Sequence, residues 1–295
     1  MKKVVIDFYH RKSFADRQEG ERFLNWLLSD RTFAPEKWAP FEPIKKPFDA
    51  ANVAEAAESF ANFAGMQKTK PQEKWAGLLL LKKTKTPKSS FYLEWNHYQH
   101  RPFNICYFDV DAQWVNTQEH QEVLLRFSDE LYANLGGYWY ANIATDEERE
   151  EKRKLKWFRP DKEQPNGGYV IEETPGIFLE KGIPGIFWGN YFGPFYVDWF
   201  GREKFNTLPC SYKKEMPDGG IFFTIVPTPE RWNTEEAREM ESRIRNHLGV
   251  DAFFDLHSLR ERLALAIASG IEVTNDLPKS LTQTCRVPML PAKNG

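Results

Sequence analysis

The chain has 295 residues, 41% of them apolar and 15% aromatic, which is enough hydrophobic surface to bury a large core and excludes a mostly disordered protein. Its 40 basic and 42 acidic residues leave a formal net charge of −2, so no bulk field draws it to nucleic acid. Cys106, Cys210 and Cys285 stand singly and far apart, which argues against a disulfide framework or a paired-Cys zinc site and for a reducing cytoplasm.

Lys3 to Tyr9 is a short, β-branched apolar run that predicts a first strand. Its apolar stretch, Val4 to Ile6, is too short for a signal-peptide core, and Trp75 to Leu81 falls far below the roughly 20 residues that span a bilayer. The expectation is a soluble, unexported protein with no membrane partner. Phe23, Leu24, Trp26, Leu27 and Leu28 recur with helical spacing, and Asp30 with Pro35 and Pro40 ends that helix. Phe33 to Phe48 reads as an irregular loop. A second helix is predicted from Asp49 to Ala64, with Val53, Ala56, Ala57, Phe60 and Phe63 on one face and Gly65 as the stop.

Three strands follow, Trp75 to Lys82, Ser90 to His97 and Phe103 to Val110. Their connections are rich in Lys, Pro and Ser and suit hairpin turns, which predicts an antiparallel meander. Asn116 and Glu119 have capping-box spacing before a helix to about Leu135, whose stripe is Val123, Leu124, Phe127, Leu131 and Leu135. Tyr138 to Ile143 is a fourth strand. Thr145 and Glu148 open a charged helix over 146–156 with Glu148–Lys152 and Glu150–Lys154 pairs, and its alternating signs predict a solvated face. The turn-rich run after Pro160 sets a boundary near residue 160, between an α+β half over 1–160 and a second over 161–295 that continue as one domain or form two.

In the second half, Gly185 to Tyr191 predicts a strand, Pro194 starts a short helix over Phe195 to Phe200, and Arg202 to Phe205 continues as a helical turn or two. Cys210 to Lys214 and Gly220 to Val226 form a hairpin. Asn233 with Glu236 caps a helix to about His247 that carries Ile244 and Leu248 inward and ends at Gly249. Asp251 to Asp255 reads as a short edge segment, Ser258 to Ser269 as a helix, and Val273 to Gly295 as a proline-punctuated tail. The fold class is α+β, an antiparallel sheet with helices packed mainly on one face.

Chemistry-bearing patterns are sparse. Glu94, Asp109 and Asp111 fall on neighbouring predicted strands, and if they converge they hold a divalent metal for a hydrolase or nuclease. His97 and His100 have HxxH spacing, but their Pro- and polar-rich surroundings favour a hairpin loop. His10, His120, His247 and His257 lack ligand spacing and read as surface or hydrogen-bonded histidines. The sequence contains no GxSxG elbow, P-loop or GxGxxG, and Cys210 has no neighbouring His. No catalytic residue, metal or cofactor is expected.

The densest feature is 180–209, which holds five of the 23 Phe and two of the 10 Trp, punctuated by Gly and Pro. Core packing is one explanation. The other is a contact face, because Trp188, Tyr191, Phe195, Tyr196 and Trp199 are many for one narrow strand-helix unit to bury, and Trp and Tyr are common interface anchors.

Three parts of the chain resemble bacterial immunity proteins of polymorphic toxin systems, especially the group paired with toxins of restriction-endonuclease-like fold. They are FAPEKWAPFEPIKKPFD at 33–49, IPGIFWGNYFGPFYVDWFGREKF at 183–205, and LGVDAFFD at 248–255 with RVPMLP at 286–291. The resemblance implies a cytoplasmic α+β protein that binds and neutralises a cognate protein toxin without catalysis. It carries over no contact residues, and the segment LHSLRERLALAIASGIEVTND departs from the pattern. A structural or phage-derived interaction protein remains a further alternative.

Overall fold

The computed structural model describes residues 2–62, 76–96, 103–136, 138–158, 169–173 and 183–253. The predicted helix 258–269, the tail, the run 161–168, Cys285 and the histidines at 97, 100 and 257 lie outside them.

Twelve strands and seven α-helices are described. In chain order they are β1 (Lys3–His10), α1 (Arg17–Ser29), β2 (Lys37–Ala39), β3 (Lys46–Pro47), α2 (Val53–Ala61), β4 (Ala76–Lys83), β5 (Ser89–Asn96) and β6 (Asn104–Asp111). There follow α3 (Gln118–Asn134), β7 (Tyr138–Thr145), α4 (Asp146–Arg153), β8 (Lys154–Phe158), β9 (Tyr169–Glu173) and β10 (Gly189–Phe192). The last are α5 (Pro194–Phe200), α6 (Arg202–Asn206), β11 (Tyr212–Glu215), β12 (Ile221–Thr224) and α7 (Glu235–Leu248).

Ten strands form one sheet in the order β11-β12-β10-β7-β1-β6-β5-β4-β2-β3, and β8 pairs with β9 separately. Every pairing between these strands is antiparallel, and an isolated parallel bridge joins Ile183 to Phe253. The β4-β5-β6 meander is as the sequence predicts. The sheet also runs across residue 160, because β10 pairs with β7 from Gly189 opposite Ile143 to Phe192 opposite Tyr140.

Alternation along β1 decides the layers. Val4, Ile6 and Phe8 point to one face, where Phe91, Phe108, Phe127 and Phe33 close on one another with the centroids of contacting rings 4.6 to 6.0 Å apart. Helices α1 to α3 cover this face. Helix α1 packs against α2 where Gly20 faces Ala57, and a Cβ at Gly20 would sit 3.4 Å from that of Ala57, about van der Waals contact. Asp7 points to the opposite face and pairs with Arg149 of α4 at 3.1 Å, while Phe192 of β10 meets Phe200 and Phe205 of α5 and α6.

Several sequence expectations need correction. The segment 33–48 is not simply a loop: β2 pairs with β4, Trp38 is fully buried, and Phe33 is a core ring. Both Asn-based caps shift by one residue. Thr117 accepts from the His120 N–H and Thr234 from the Ala237 N–H, so the neighbouring hydroxyls cap α3 and α7. Asp49 does not cap α2 but accepts from Ala51 N–H in the preceding turn. The strand predicted from Gly185 begins only at Gly189, because the Asn190 amide bonds both backbone groups of Phe187 and holds 187–190 in a turn.

The charged helix α4 is not a solvated face. Glu148 is fully buried and Arg149 nearly so: Arg149 pairs with Asp7 of β1, and Glu148 pairs within the helix with Lys152, which also reaches Glu241 of α7. Lys152 lies 2.8 Å from both Glu148 and Glu241 and donates to the Ile186 carbonyl at 2.6 Å. Lys154 begins β8 rather than extending the helix, which ends at Arg153. Among the described residues no helix is long and apolar enough to cross a membrane.

Candidate partner-binding face

The aromatic segment 183–205 folds as a turn, strand β10, and helices α5 and α6. Gly201, at φ +93°, makes the break between the two helices that a side chain would strain. Within this unit the five predicted contact residues separate sharply. Trp188, Tyr191 and Tyr196 are core residues with at most 1% of their surface exposed. The Trp188 indole donates to the Val226 carbonyl at 2.9 Å. The Tyr191 hydroxyl lies 2.8 Å from Ser128 Oγ and 3.1 Å from Asp129, and burial, with the Asp129 charge beside it, pushes its pKa well up. The Tyr196 hydroxyl has no hydrogen-bond partner among the described residues.

Phe195 and Trp199 are half-buried. Phe195 packs edge-on against Trp139 at 4.7 Å, and Trp199 lies against Phe200 at 4.5 Å. The contact-face reading of 180–209 therefore narrows to these two side chains of α5. Core packing accounts for the other three.

The sheet also presents an aromatic that sequence reasoning missed. Tyr212 opens β11, the terminal strand, and is 50% exposed. It stands at the rim of a cleft of about 640 Å³ between α3 and the β11–β12 hairpin. Gln118, Gln121 and Glu122 line one wall, Thr224 and Pro227 the other, and Leu125 and Trp188 contribute apolar surface. Asp129 ties the two walls together: it accepts from Tyr191 in the core and pairs with Lys214 of β11 at 2.6 Å. The amides offer donors and acceptors, and Glu122 and Arg126 offer charge. Such a surface is suited to polar protein contacts around an aromatic anchor.

The proposed acidic set does not assemble. Asp109 stands opposite Ser90, whereas Glu94 stands opposite Ile105, four residues and roughly 13 Å along β5. Asp109 and Asp111 share a face of β6, but Asp109 lies 3.0 Å from Lys3 and accepts from Ser90, while Glu94 accepts from Tyr92 at 2.8 Å. Among the described residues no group of three His, Cys, Asp or Glu is placed to hold a metal. His120 stacks on Trp114 at 4.2 Å, and His247 bonds the Lys204 carbonyl. Cys106 is buried, and burial raises its thiol pKa well above the usual value.

No family model matches the chain, and no curated protein matches it in sequence. Among solved structures, a Pseudomonas aeruginosa T6SS protein is similar over 96% of this chain and 91% of its own, at 12% identity and a TM-score of 0.46.

Proposed function

We propose that this chain is a non-enzymatic immunity protein that binds a cognate bacterial toxin in the cytoplasm and neutralises it by occlusion. The observation that carries this reading is the open face at β11, where an exposed tyrosine borders a cleft of mixed amide, carboxylate and apolar lining. Exposed aromatics beside satisfied polar groups are the usual makings of a protein interface. The three segments similar to immunity proteins support the choice of partner, and the separation of Glu94 from Asp109 weighs against the metal-dependent alternative built on those carboxylates.

The test is co-expression with the toxin encoded beside this gene. Protection of the cells, together with a stoichiometric complex of the purified proteins, is the expected result. A complex of standard size would cover about 800 Å² on each partner and shield Tyr212. Failure to protect against any neighbouring toxin, with no complex formed, overturns the proposal.

A further inference from the structure

The two ends of the sheet are protected very differently. At one end β3 is only two residues long and ends in Pro47, a residue without an N–H. Short length and proline are standard ways to prevent a sheet edge from recruiting another chain. At the other end β11 runs four residues in unbroken register with β12 and contains no proline. Its two lysines, the residues that ordinarily guard an edge, are drawn back onto the protein. Lys213 donates to the Phe205 and Asn206 carbonyls at 2.7 and 2.8 Å, and Lys214 pairs with Asp129.

The ladder also fixes which backbone groups point outward. Met216 N–H bonds the Gly220 carbonyl, and on β12's other side Ile225 N–H bonds the Trp188 carbonyl. Antiparallel bonding alternates, so residues 212, 214 and 216 bond inward and the amides and carbonyls of Lys213 and Glu215 face out. Tyr212, Lys213 and Glu215 are exposed along this edge. The cleft against α3 lies on one side of the strand and α6 on the other.

We propose that the outer edge of β11 takes an extended segment of the toxin as an added strand of the sheet, with an acidic side chain of that segment placed against Lys213. This rests on the immunity reading and adds how the partner is held. Main-chain pairing would supply the attachment, and the cleft beside Tyr212 would select one of the segment's side chains. Lys213 has no carboxylate within ion-pair distance among the described residues, so its charge is open to an acidic neighbour. A second copy of this chain fits less well. Antiparallel pairing of the outward-facing residues of two β11 strands sets Lys213 opposite Glu215, whose carboxylate is already held by Arg202 at 2.6 Å, and Lys214 opposite Lys214, and like charges directly opposed are destabilising.

The experiment is amide hydrogen exchange on this protein, free and bound to the inactivated toxin encoded beside its gene. The Lys213 and Glu215 amides are expected to exchange freely in the free protein and to slow at least about tenfold in the complex. Glu215→Pro, which removes an outward N–H, is expected to weaken binding at least about tenfold at unchanged Tm, while Glu215→Ala stays within about threefold. Lys213→Gln is expected to flatten the salt dependence of binding. A complex in which both amides still exchange freely overturns the strand-pairing inference and leaves the immunity reading intact. The absence of any complex removes the immunity reading and this inference with it. Protection at both amides in the protein alone, with self-association in sedimentation, assigns the edge to a second copy and overturns the choice of partner.

Discussion

Gly77→Ala is the substitution whose cost is most directly fixed by geometry. Gly77 lies in β4, and a Cβ there would fall 2.6 Å from Trp95 Cε2 and closer still to Trp95 Nε1 and the Phe60 carbonyl oxygen. Those last two atoms form a buried hydrogen bond of 2.7 Å that fastens α2 to the sheet. The methyl group therefore enters the space of a hydrogen bond, one end of which is backbone and cannot rotate away. Breaking the bond without replacing it costs about 1–3 kcal/mol, and overpacking a dense core costs about 1–3 kcal/mol more. Loss of glycine's conformational freedom returns roughly 0.5–1 kcal/mol. The net destabilisation is about 2–5 kcal/mol, a fall in Tm of roughly 5–15 °C for a chain of this size. Urea melts followed by circular dichroism measure it. In a Trp95→Phe background part of the clash is already gone, so the same substitution is expected to cost at least about 1 kcal/mol less. A Gly77→Ala protein melting within about 1 °C of the parent, or full additivity with Trp95→Phe, would refute the steric argument.

Three further outcomes are expected. Tyr191→Phe removes a hydroxyl bonded to Ser128 and Asp129 and is expected to cost about 1–2 kcal/mol, whereas Tyr196→Phe removes one without a partner among the described residues and is expected to be neutral or stabilising by about 1 kcal/mol; equal effects in denaturant melts would contradict the assignment. Lys152→Met strips the cation from Glu148 and Glu241 and is expected to cost about 3–5 kcal/mol near neutral pH, again read from denaturant melts. Burial lowers the Lys152 pKa, but the two carboxylates outweigh it and raise it. Its contribution to stability is therefore complete below the unfolded lysine value and lost as pH rises through the raised folded one, a loss the variant should not show in alkaline melts. The Glu36 carboxyl is lowered to about 2, first by the Thr84 hydroxyl, against the opposing effect of burial, with help from the Thr84 N–H and the charges of Lys85 and Lys83. A lowered carboxylate stabilises above its unfolded value and ceases to do so as pH falls toward 2, so Thr84→Val should move acid unfolding to higher pH, and an unchanged Glu36 titration by NMR would count against this.

Strong local periodicity carried the sequence reading where it succeeded. The stripe Leu124, Phe127, Leu131 and Leu135 is spaced for one helix face, and that face is buried. The antiparallel order of β4, β5 and β6 is as their short polar connections predict, and the β4–β5 turn is seen directly. What was hidden depends on residues distant in sequence. The alternating charges of α4 look like a water-facing surface until Asp7 and Glu241 arrive from other elements to pair with Arg149 and Lys152. Strand β2 has only three residues and exists because β4 lies beside it. The aromatic count of 180–209 is plain in the sequence, but only the packing of β10 against β7 and β12 separates the enclosed Trp188, Tyr191 and Tyr196 from Phe195 and Trp199. Tyr212 gave no signal of its own, since its exposure follows from β11 standing last in the sheet.

Among the described strands β1 is made before the others, yet it waits longest for its second neighbour. β1 lies mid-sheet, with Lys3 opposite Asp111 on one side and Val4 opposite Thr145 on the other. At roughly 5–20 residues per second, its apolar run Val4, Val5 and Ile6 waits about ten to thirty seconds for the second neighbour to be made. Nothing upstream of β7 can close the centre of this sheet. Chains stalled or cleaved before residue 145 would therefore expose a hydrophobic strand with an open side, and they should be the species that aggregate or engage chaperones.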